Sequence, residues 1–438
     1  MISELKDRLP AKTVLEKGIE LEGKEVTLAG WIYNRRAHGN LLFIDLRDGT
    51  GIIQISIHKE KVSQTVFKDV ERATRESSVI VKGIVRSDER APGGFEINLQ
   101  HIRIIGLAEE WPLPIDAGID VLFDKRHLHL RGEKQTSIMR IRAEVFEAMR
   151  GWFRQDGWIE VHPPMIISAS VEGGSTLFKM DYFGEVAYLT QSSQFYLEAM
   201  IQSLEKVYCI APSFRAEKSK TPRHLTEYWH AEAEAAWMEL DDIIRVEEQL
   251  VTHICQTIAD KRAKDLEKLG RTPDDVASVR APFERILYKE AIERIKKKGV
   301  KIEYGDDMGA DEELRLTEDL TKPIFVVEYP RSIKPFYHYP KPSDPSVVMC
   351  ADCLAPEGYG EIIGGGQRIH DKDSLISRIK EEKLKPQDYE WYIDLRRYGT
   401  VPHSGFGMGV DRVIRWICKL DHIRAAIPFP RYLTRRTP

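Results

Sequence analysis

Between residues 227 and 237 the chain reads EYWHAEAEAAW, and this alternation restricts the fold more than any other stretch. On an extended strand alternate residues share a face, so Tyr228, His230, Glu232 and Glu234 point one way and Trp229, Ala231, Ala233 and Trp237 the other. One face is polar and one belongs to a core. Two carboxylates on the inner face of a central strand are costly to desolvate unless cations or hydrogen-bond donors lie opposite, so the pattern implies a site built on a sheet. The preceding loop, Glu217 to Thr226, carries Lys218, Lys220, Arg223 and His224, donors suited to a polyphosphate folded over a hairpin. A solvated hairpin tip would carry the same charges.

A chain of 438 residues, 42% hydrophobic and 31% charged, has room for two or three globular domains. Its net charge of −4 supplies no global attraction to polyanions, so any nucleic-acid contact must rest on a local basic patch. Five scattered cysteines, an odd number, point to a reducing compartment rather than a disulfide scaffold. Cys350 and Cys353 form a CxxC without a second Cys or His pair at zinc-finger spacing, so half-buried strand-end residues are favoured over a metal or redox pair. No apolar run approaches the length of a membrane span, and the expectation is a soluble, cytoplasmic protein.

From Glu25 to Ile104 the strand-length segments EVTLAGWIY, LLFIDLR and GIIQISI are parted by HGN and DGTG. A helical stretch with Val62, Val66, Val70 and Ala73 on one face follows, then SVIVKGIVR and FEINLQHIRI. Three strands, a helix and two strands is the order of an OB-fold barrel, which typically binds oligonucleotides; a generic small barrel or an oligosaccharide binder fits the same order. Residues 107–130 read as a hinge without an element of their own. Beyond them, TSIMRIRAEVFEAMRGWFRQDG and a stretch from Leu240 to about Leu269 are amphipathic helices, interspersed with strand candidates EVAYLT, KVYCIA, PIFVVEYP and EIIGGG. The fold class expected is α+β: a five-stranded OB-fold barrel over 1–106, a linker over 107–130, and a domain over 131–438 with a mixed, largely antiparallel sheet flanked by helices.

FRAEKSKTPRHLTEYWHAEAE resembles motif 2 of the class II aminoacyl-tRNA synthetases, in the subclass that activates aspartate, asparagine and lysine. DGWIEVHPPMI resembles motif 1, whose Pro164 belongs to the dimer interface, and GFGMGVDRVIRWI resembles motif 3, with Arg412 as its arginine. The resemblance spans about Glu25 to Arg431 and implies a homodimer, an anticodon-reading barrel, and ATP with Mg²⁺. It assigns Arg215 to the α-phosphate and the amino acid carboxylate, Glu217 to the adenine amino group, and Tyr228 and Arg412 to the two faces of the adenine ring. Arg223, His224 and Arg412 would hold the outer phosphates, and Glu361 and Asp352 the Mg²⁺. No GxxxxGK[ST] is present, so arginines and metal must do the work of a P-loop. Arg215, Glu361 and Arg412 are the residues on which the reaction would depend.

The same resemblance implies that Glu172 and Gln194 hold the substrate α-ammonium and that Arg368 grips the side-chain oxygen of either aspartate or asparagine. Three features favour asparagine. Leu197 stands where aspartyl enzymes put a lysine, Glu232 stands where asparaginyl enzymes tend to carry Glu, and CLAPEGYGEIIGG and DLRRYGTVPHSGFG resemble the asparaginyl, archaeal-type versions of their regions. Glu232 is expected to face Arg368 across the substrate amide, each neutralising the other. GGGQR departs from the commoner GGSQR beside Arg368. In the barrel, Phe43 is matched to a base-stacking aromatic, Gln54 and Glu96 to side chains that read base edges, and Arg35, Arg36 and Arg47 to phosphate contacts, all toward tRNA-Asn. The alternatives are an aspartyl-tRNA synthetase, including one that charges both tRNAs, an ATP-dependent asparagine synthetase on the same core, and a tRNA-binding paralogue without activity.

Overall fold

Strands β1 (Glu25–His38), β2 (Leu41–Arg47), β3 (Ile52–His58), β4 (Ser78–Ser87) and β5 (Phe95–Gly106) close into a barrel in the order β1-β2-β3-β5-β4. Closure leaves no free edge, and it rests on the parallel pairing of β3 with β5. Ile44 and Leu46 point inward from β2 while Phe43, Asp45 and Arg47 alternate outward, as period two requires. The helix Gln64–Arg72 is capped by Ser63, whose hydroxyl accepts from the Val66 N–H, and it buries Val66 and Val70 against the barrel core. The computed structural model describes residues 5–39, 41–114, 116–168, 176–218 and 221–438. It divides into two compact units, Met1–Val121 and Leu122–Pro438.

Residues 107–130, expected to lack elements, contain two short helices, Ile119–Asp124 and Arg126–His129. The second is held by the buried Arg126, which donates to the carbonyls of Ile427 (3.0 Å) and Pro428 (2.9 Å), partners about 300 residues away that local pattern does not reveal.

In the second unit, β6 (Ile159–Glu160), β10 (Lys206–Phe214), β11 (Glu227–Ala236), β12 (Glu284–Leu287), β13 (Ile324–Val327), β16 (Cys350–Ala355), β17 (Gly360–Gln367) and β18 (His403–Gly409) form one sheet in the order β12-β13-β16-β17-β18-β11-β10-β6. Only the edge pairs β12–β13 and β6–β10 are parallel, so the mixed, largely antiparallel sheet is as expected. Strands β7 (Ile166–Ile167), β8 (Lys179–Tyr182) and β9 (Glu185–Leu189) make a small separate sheet, and β14 (Pro340–Lys341) pairs with β15 (Asp344–Val348).

The helices Glu133–Gln155 and Leu240–Lys261 pack on the core side of the large sheet, and Ala231, Ala233 and Ala235 of β11 are fully buried beneath them. The long second helix expected to about Leu269 breaks at Arg262, where φ is −125°, and resumes as Ala263–Lys268. Trp237 does not join the core face. The strand ends at Ala236, and Trp237, at φ +62°, is 66% exposed. Cys350 and Cys353 are three apart on β16 and enter different hydrophobic clusters, Cys350 beside Tyr329 and Cys353 beside Phe325, so they do not form a pair. No helix among the described residues is long and apolar enough to cross a membrane.

Candidate active site

The polar face of β11 is usable because its neighbour clears space for it. Register sets Gly405, Gly407 and Gly409 of β18 opposite Glu234, Glu232 and His230. A Cβ on Gly405 would lie 2.1 Å from the Glu234 carboxylate, and one on Gly407 2.5 Å from His230 Nε2. These glycines therefore carry the acids rather than a phosphate loop. Above them opens a cavity of about 700 Å³ lined by every residue of the second unit assigned to ATP, amino acid or Mg²⁺ except Glu172, which lies outside the described residues; of the hairpin-loop lysines, Lys218 does not line it and Lys220 lies outside the described residues.

At the inner end Arg368 and Glu234 are both buried and paired: Arg368 Nε donates to Glu234 Oε1 at 3.1 Å and Oε2 at 3.2 Å, and Nη2 donates to Oε1. The partner that neutralises Arg368 is thus Glu234, not Glu232 as expected. Glu232 instead accepts from the Ser192 hydroxyl and from the Ser193 N–H (2.8 Å), where the helix Gln194–Leu204 begins with its positive end toward the carboxylate. His230 Nδ1 lies 3.6 Å from Glu232. Leu197 packs with Ile201, Val207 and Cys209 rather than lining the cavity, so the residue matched to the aspartyl lysine is a core side chain here. Gly366 has no room for a Cβ, which would sit 2.6 Å from the Met349 carbonyl oxygen and 2.9 Å from His338 Nδ1; the GGGQR departure is what this packing demands.

At the outer end Arg215 stands 3.9 Å from Glu217, and Tyr228, on β11, donates to the Gln191 carbonyl at 3.4 Å. Arg223 is engaged bidentately by Glu313, Nη2 to Oε1 at 3.0 Å, and Glu313 also accepts from the Glu361 N–H at 2.6 Å. Arg412 Nη1 is 3.1 Å from both the carboxylate and the carbonyl of Glu361. Asp411, beside it, accepts from Arg142 and from the Trp229 N–H (2.8 Å), which ties the helix Val410–Ile417 to β11. Burial pushes the Glu361 carboxyl up, but Arg412, Lys334 and Arg223 outweigh it and hold it down at about 2. Burial, then Arg412, Arg223 and Arg215, lower His224 to about 4, so at neutral pH it enters as a neutral imidazole rather than a third cation.

Asp352 and Glu361 converge. The point that a Cβ on Gly364 would occupy is 3.4 Å from Glu361 Oε1 and 3.5 Å from Asp352 Oδ1. Mg²⁺ is held by one or two carboxylates while keeping water and phosphate oxygens, so this hard-oxygen pair fits it without a dedicated cage. No cluster of three or more His, Cys, Asp or Glu ligands occurs among the described residues. Lys334 Nζ now neutralises Asp352 at 2.6 Å and lies over the Tyr329 ring at 4.0 Å.

In the barrel, Arg36, Phe43, Gln54 and Glu96 come together. Arg36 lies 5.9 Å from the Phe43 centroid and donates to Gln54 Oε1 (2.9 Å), whose Nε2 donates to Glu96 Oε2 (2.8 Å). Arg35 and Arg47 are engaged elsewhere. Arg35 donates to the carbonyls of Val70 (3.2 Å) and Glu71 (2.9 Å), and Arg47 forms a two-point pair with Glu76 at 2.8 Å. Their guanidinium groups satisfy the end of a helix and a buried acid, and neither enters the Phe43 group.

Glu313, Lys334 and Glu198 were not found from sequence. Glu313 sits in the acid-rich run ADEELRLT and Lys334 in a loop, with no local signal; Glu198 follows Gln194 by one helical turn, a spacing that could have exposed it.

Comparison with known proteins gives two family matches: residues 118–433 match "tRNA synthetases class II (D, K and N)" and residues 26–105 match "OB-fold nucleic acid binding domain". The chain is 53% identical to the asparagine–tRNA ligase of Pyrococcus abyssi, over 96% of this chain and 97% of the relative. It superimposes on the Pyrococcus horikoshii asparaginyl-tRNA synthetase complexed with asparaginyl-adenylate with a TM-score of 0.93, at 51% identity over 96% of this chain and 97% of that one. For the Entamoeba histolytica asparaginyl-tRNA synthetase the TM-score is 0.89, at 34% identity over 95% and 98% of the two chains.

Proposed function

The chain belongs to the class II tRNA synthetases of the D, K and N group, and from that premise we infer that it joins asparagine to tRNA-Asn through an asparaginyl-adenylate made from ATP. The observation that carries the choice of amino acid is the charge arrangement at the inner end of the cavity. Arg368 is already neutralised by Glu234, and Glu232 adds a carboxylate with two of its acceptor sites filled by Ser192 and Ser193. Its remaining lone pairs suit an amide N–H₂, while Arg368 retains Nη1 to donate to the amide oxygen. An aspartate carboxylate would bring a second negative charge to the same place, which argues against the aspartyl alternative. ATP–pyrophosphate exchange with asparagine and with aspartate in parallel tests this, and equal exchange with both would overturn it.

The asparagine carboxylate is ionised at neutral pH and attacks the α-phosphorus directly, forming the acyl–phosphate bond as the bond to pyrophosphate breaks. No side chain need act as base; the requirement is positioning and screening of charge. Arg215 bridges the carboxylate and the α-phosphate, and Arg223 and Arg412 take the outer phosphates, Arg223 exchanging its Glu313 partner for ATP. Glu217 accepts from the adenine amino group and Tyr228 and Arg412 sandwich the ring, while Glu172 and Gln194 hold the α-ammonium. Asp352 and Glu361 are the residues that would hold Mg²⁺, which supplies further screening of phosphate charge when bound. The terminal ribose 3′-hydroxyl of the tRNA then attacks the acyl carbon, and the phosphate of AMP leaves with both bonding electrons and takes up the hydroxyl proton.

The barrel reads the anticodon with Phe43 as the stacking platform and Arg36, Gln54 and Glu96 around it. Phe43→Ala is expected to weaken tRNA charging by about 1–3 kcal/mol through lost stacking, with pyrophosphate exchange unchanged. An equal fall in both activities would refute that division.

The segment Trp158–Met165 supplies a dimer contact. Ile159 on the edge strand β6 is 44% exposed, and Ile166 and Val186 of the small sheet are 43% and 50% exposed, apolar side chains of the kind a subunit interface covers. Sedimentation is expected to give a dimer at working concentration, and a fully active monomer would exclude this interface.

A further inference from the structure

Glu198 is fully buried and belongs to none of the contacts assigned above. It lies one helical turn after Gln194, so both share a face of the helix Gln194–Leu204. Gln194 Nε2 donates to Glu198 Oε1 at 2.9 Å. The carboxylate is itself fixed from three other directions: the Tyr392 hydroxyl donates to Oε1 at 2.8 Å, Arg396 Nη2 donates to Oε2 at 2.5 Å, and His403 Nε2 lies 2.9 Å from Oε2. Arg396 is anchored in turn through Nε, which donates to the Ile369 carbonyl at 2.8 Å. Burial pushes the Glu198 carboxyl up, but Arg396 and His403 prevail and hold it well below its ordinary value. An ionised carboxylate accepts only, so it selects which end of the Gln194 amide it faces. The Nε2 end is taken, and the carbonyl Oε1 of this cavity-lining residue is turned away from Glu198.

We propose that Glu198 is a positioning residue for substrate recognition, fixing the Gln194 amide so that its oxygen, not its nitrogen, meets the α-ammonium of asparagine. This rests on the reading of Gln194 as an ammonium-binding residue, and deepens it. A donor-only ammonium needs an acceptor, and a freely flipping amide would offer its own N–H₂ half the time.

The test is a double-mutant cycle on the full-length enzyme, read by pyrophosphate exchange. Gln194→Ala and Glu198→Gln are each expected to raise the KM for asparagine about tenfold or more, with the KM for ATP within about threefold. Added to Gln194→Ala, Glu198→Gln should change the asparagine KM less than about twofold, because the two act through one contact. Inhibition by succinamate, which keeps the carboxylate and amide of asparagine but lacks the ammonium, should be unaltered by Glu198→Gln. Effects that multiply, or an asparagine KM moved by Gln194→Ala but not by Glu198→Gln, would overturn the positioning role. An asparagine KM unmoved by Gln194→Ala would refute the ammonium reading of Gln194 itself, and the positioning role with it. If Glu198→Gln does not fold, Gln194→Glu decides. A carboxylate free to turn would bind an ammonium at least as well, whereas one facing Glu198 is repelled, so a large loss of asparagine affinity is expected and an unchanged or improved KM would overturn the proposal.

Discussion

Glu232→Gln is expected to lower the asparagine-to-aspartate ratio of kcat/KM by about 10³-fold, since two like charges about 4 Å apart at an effective dielectric constant of about 20 repel by about 4 kcal/mol. The charge count makes the effect specific to Glu232. Glu234 is paired with Arg368, which blunts the attraction of the guanidinium for an incoming carboxylate, and Glu232 adds a second carboxylate at the inner end of the cavity. Gln at 232 keeps an acceptor for the amide N–H₂ while removing the repulsion, so asparagine should lose much less than aspartate gains. The KM for ATP should move by less than about threefold, because the contacts assigned to the nucleotide lie at Arg215, Arg223 and Arg412. An unchanged ratio of kcat/KM for the two amino acids would show that another group discriminates.

The barrel was legible because its strands alternate with turn signals at short intervals, and closure follows from that order. The alternate acids of β11 were legible for the same reason: period two is a local property of the chain. Pairings across long separations were not. Arg223 meets Glu313 90 residues on, and Arg368 meets Glu234 134 residues back, in a sheet whose register alone decides which of two acids faces which cation. Glu232 and Glu234 share a face, so the strand pattern could not choose between them as the partner of Arg368. Arg35 and Arg47 show the converse limit. Composition marks them as cations, but whether a cation is offered to a ligand or consumed by a helix end or a buried acid depends on packing.

Removing Arg412 has the other large effect, and it acts on two groups at once. Its Nη1 is shared between the carboxylate and the carbonyl of Glu361, both at 3.1 Å, so the side chain is preorganised before any nucleotide arrives. Arg412→Ala deletes a fixed cation where negative charge accumulates as pyrophosphate departs, and a preorganised donor of that kind is worth about 10²–10³ in kcat, or about 3–4 kcal/mol. It also withdraws the largest of the influences that hold Glu361 down to about 2 against burial. The sign follows from that depression. A carboxylate whose folded-state pKa lies below its unfolded value stabilises the fold above the unfolded pKa, and loses that contribution as pH falls through the folded one. In the wild type Glu361 therefore stays ionised through the range of ordinary assays and contributes no acid limb to the activity. In Arg412→Ala its pKa rises toward the usual carboxylate range or above, so the residual activity should gain an acid limb that the parent lacks. Pyrophosphate exchange across pH 5 to 8 reads both parts. A fall in kcat without any new acid limb would show that Lys334 and Arg223, with Mg²⁺ when it is bound, suffice to hold Glu361 ionised, and an undiminished kcat would remove Arg412 from the reaction altogether.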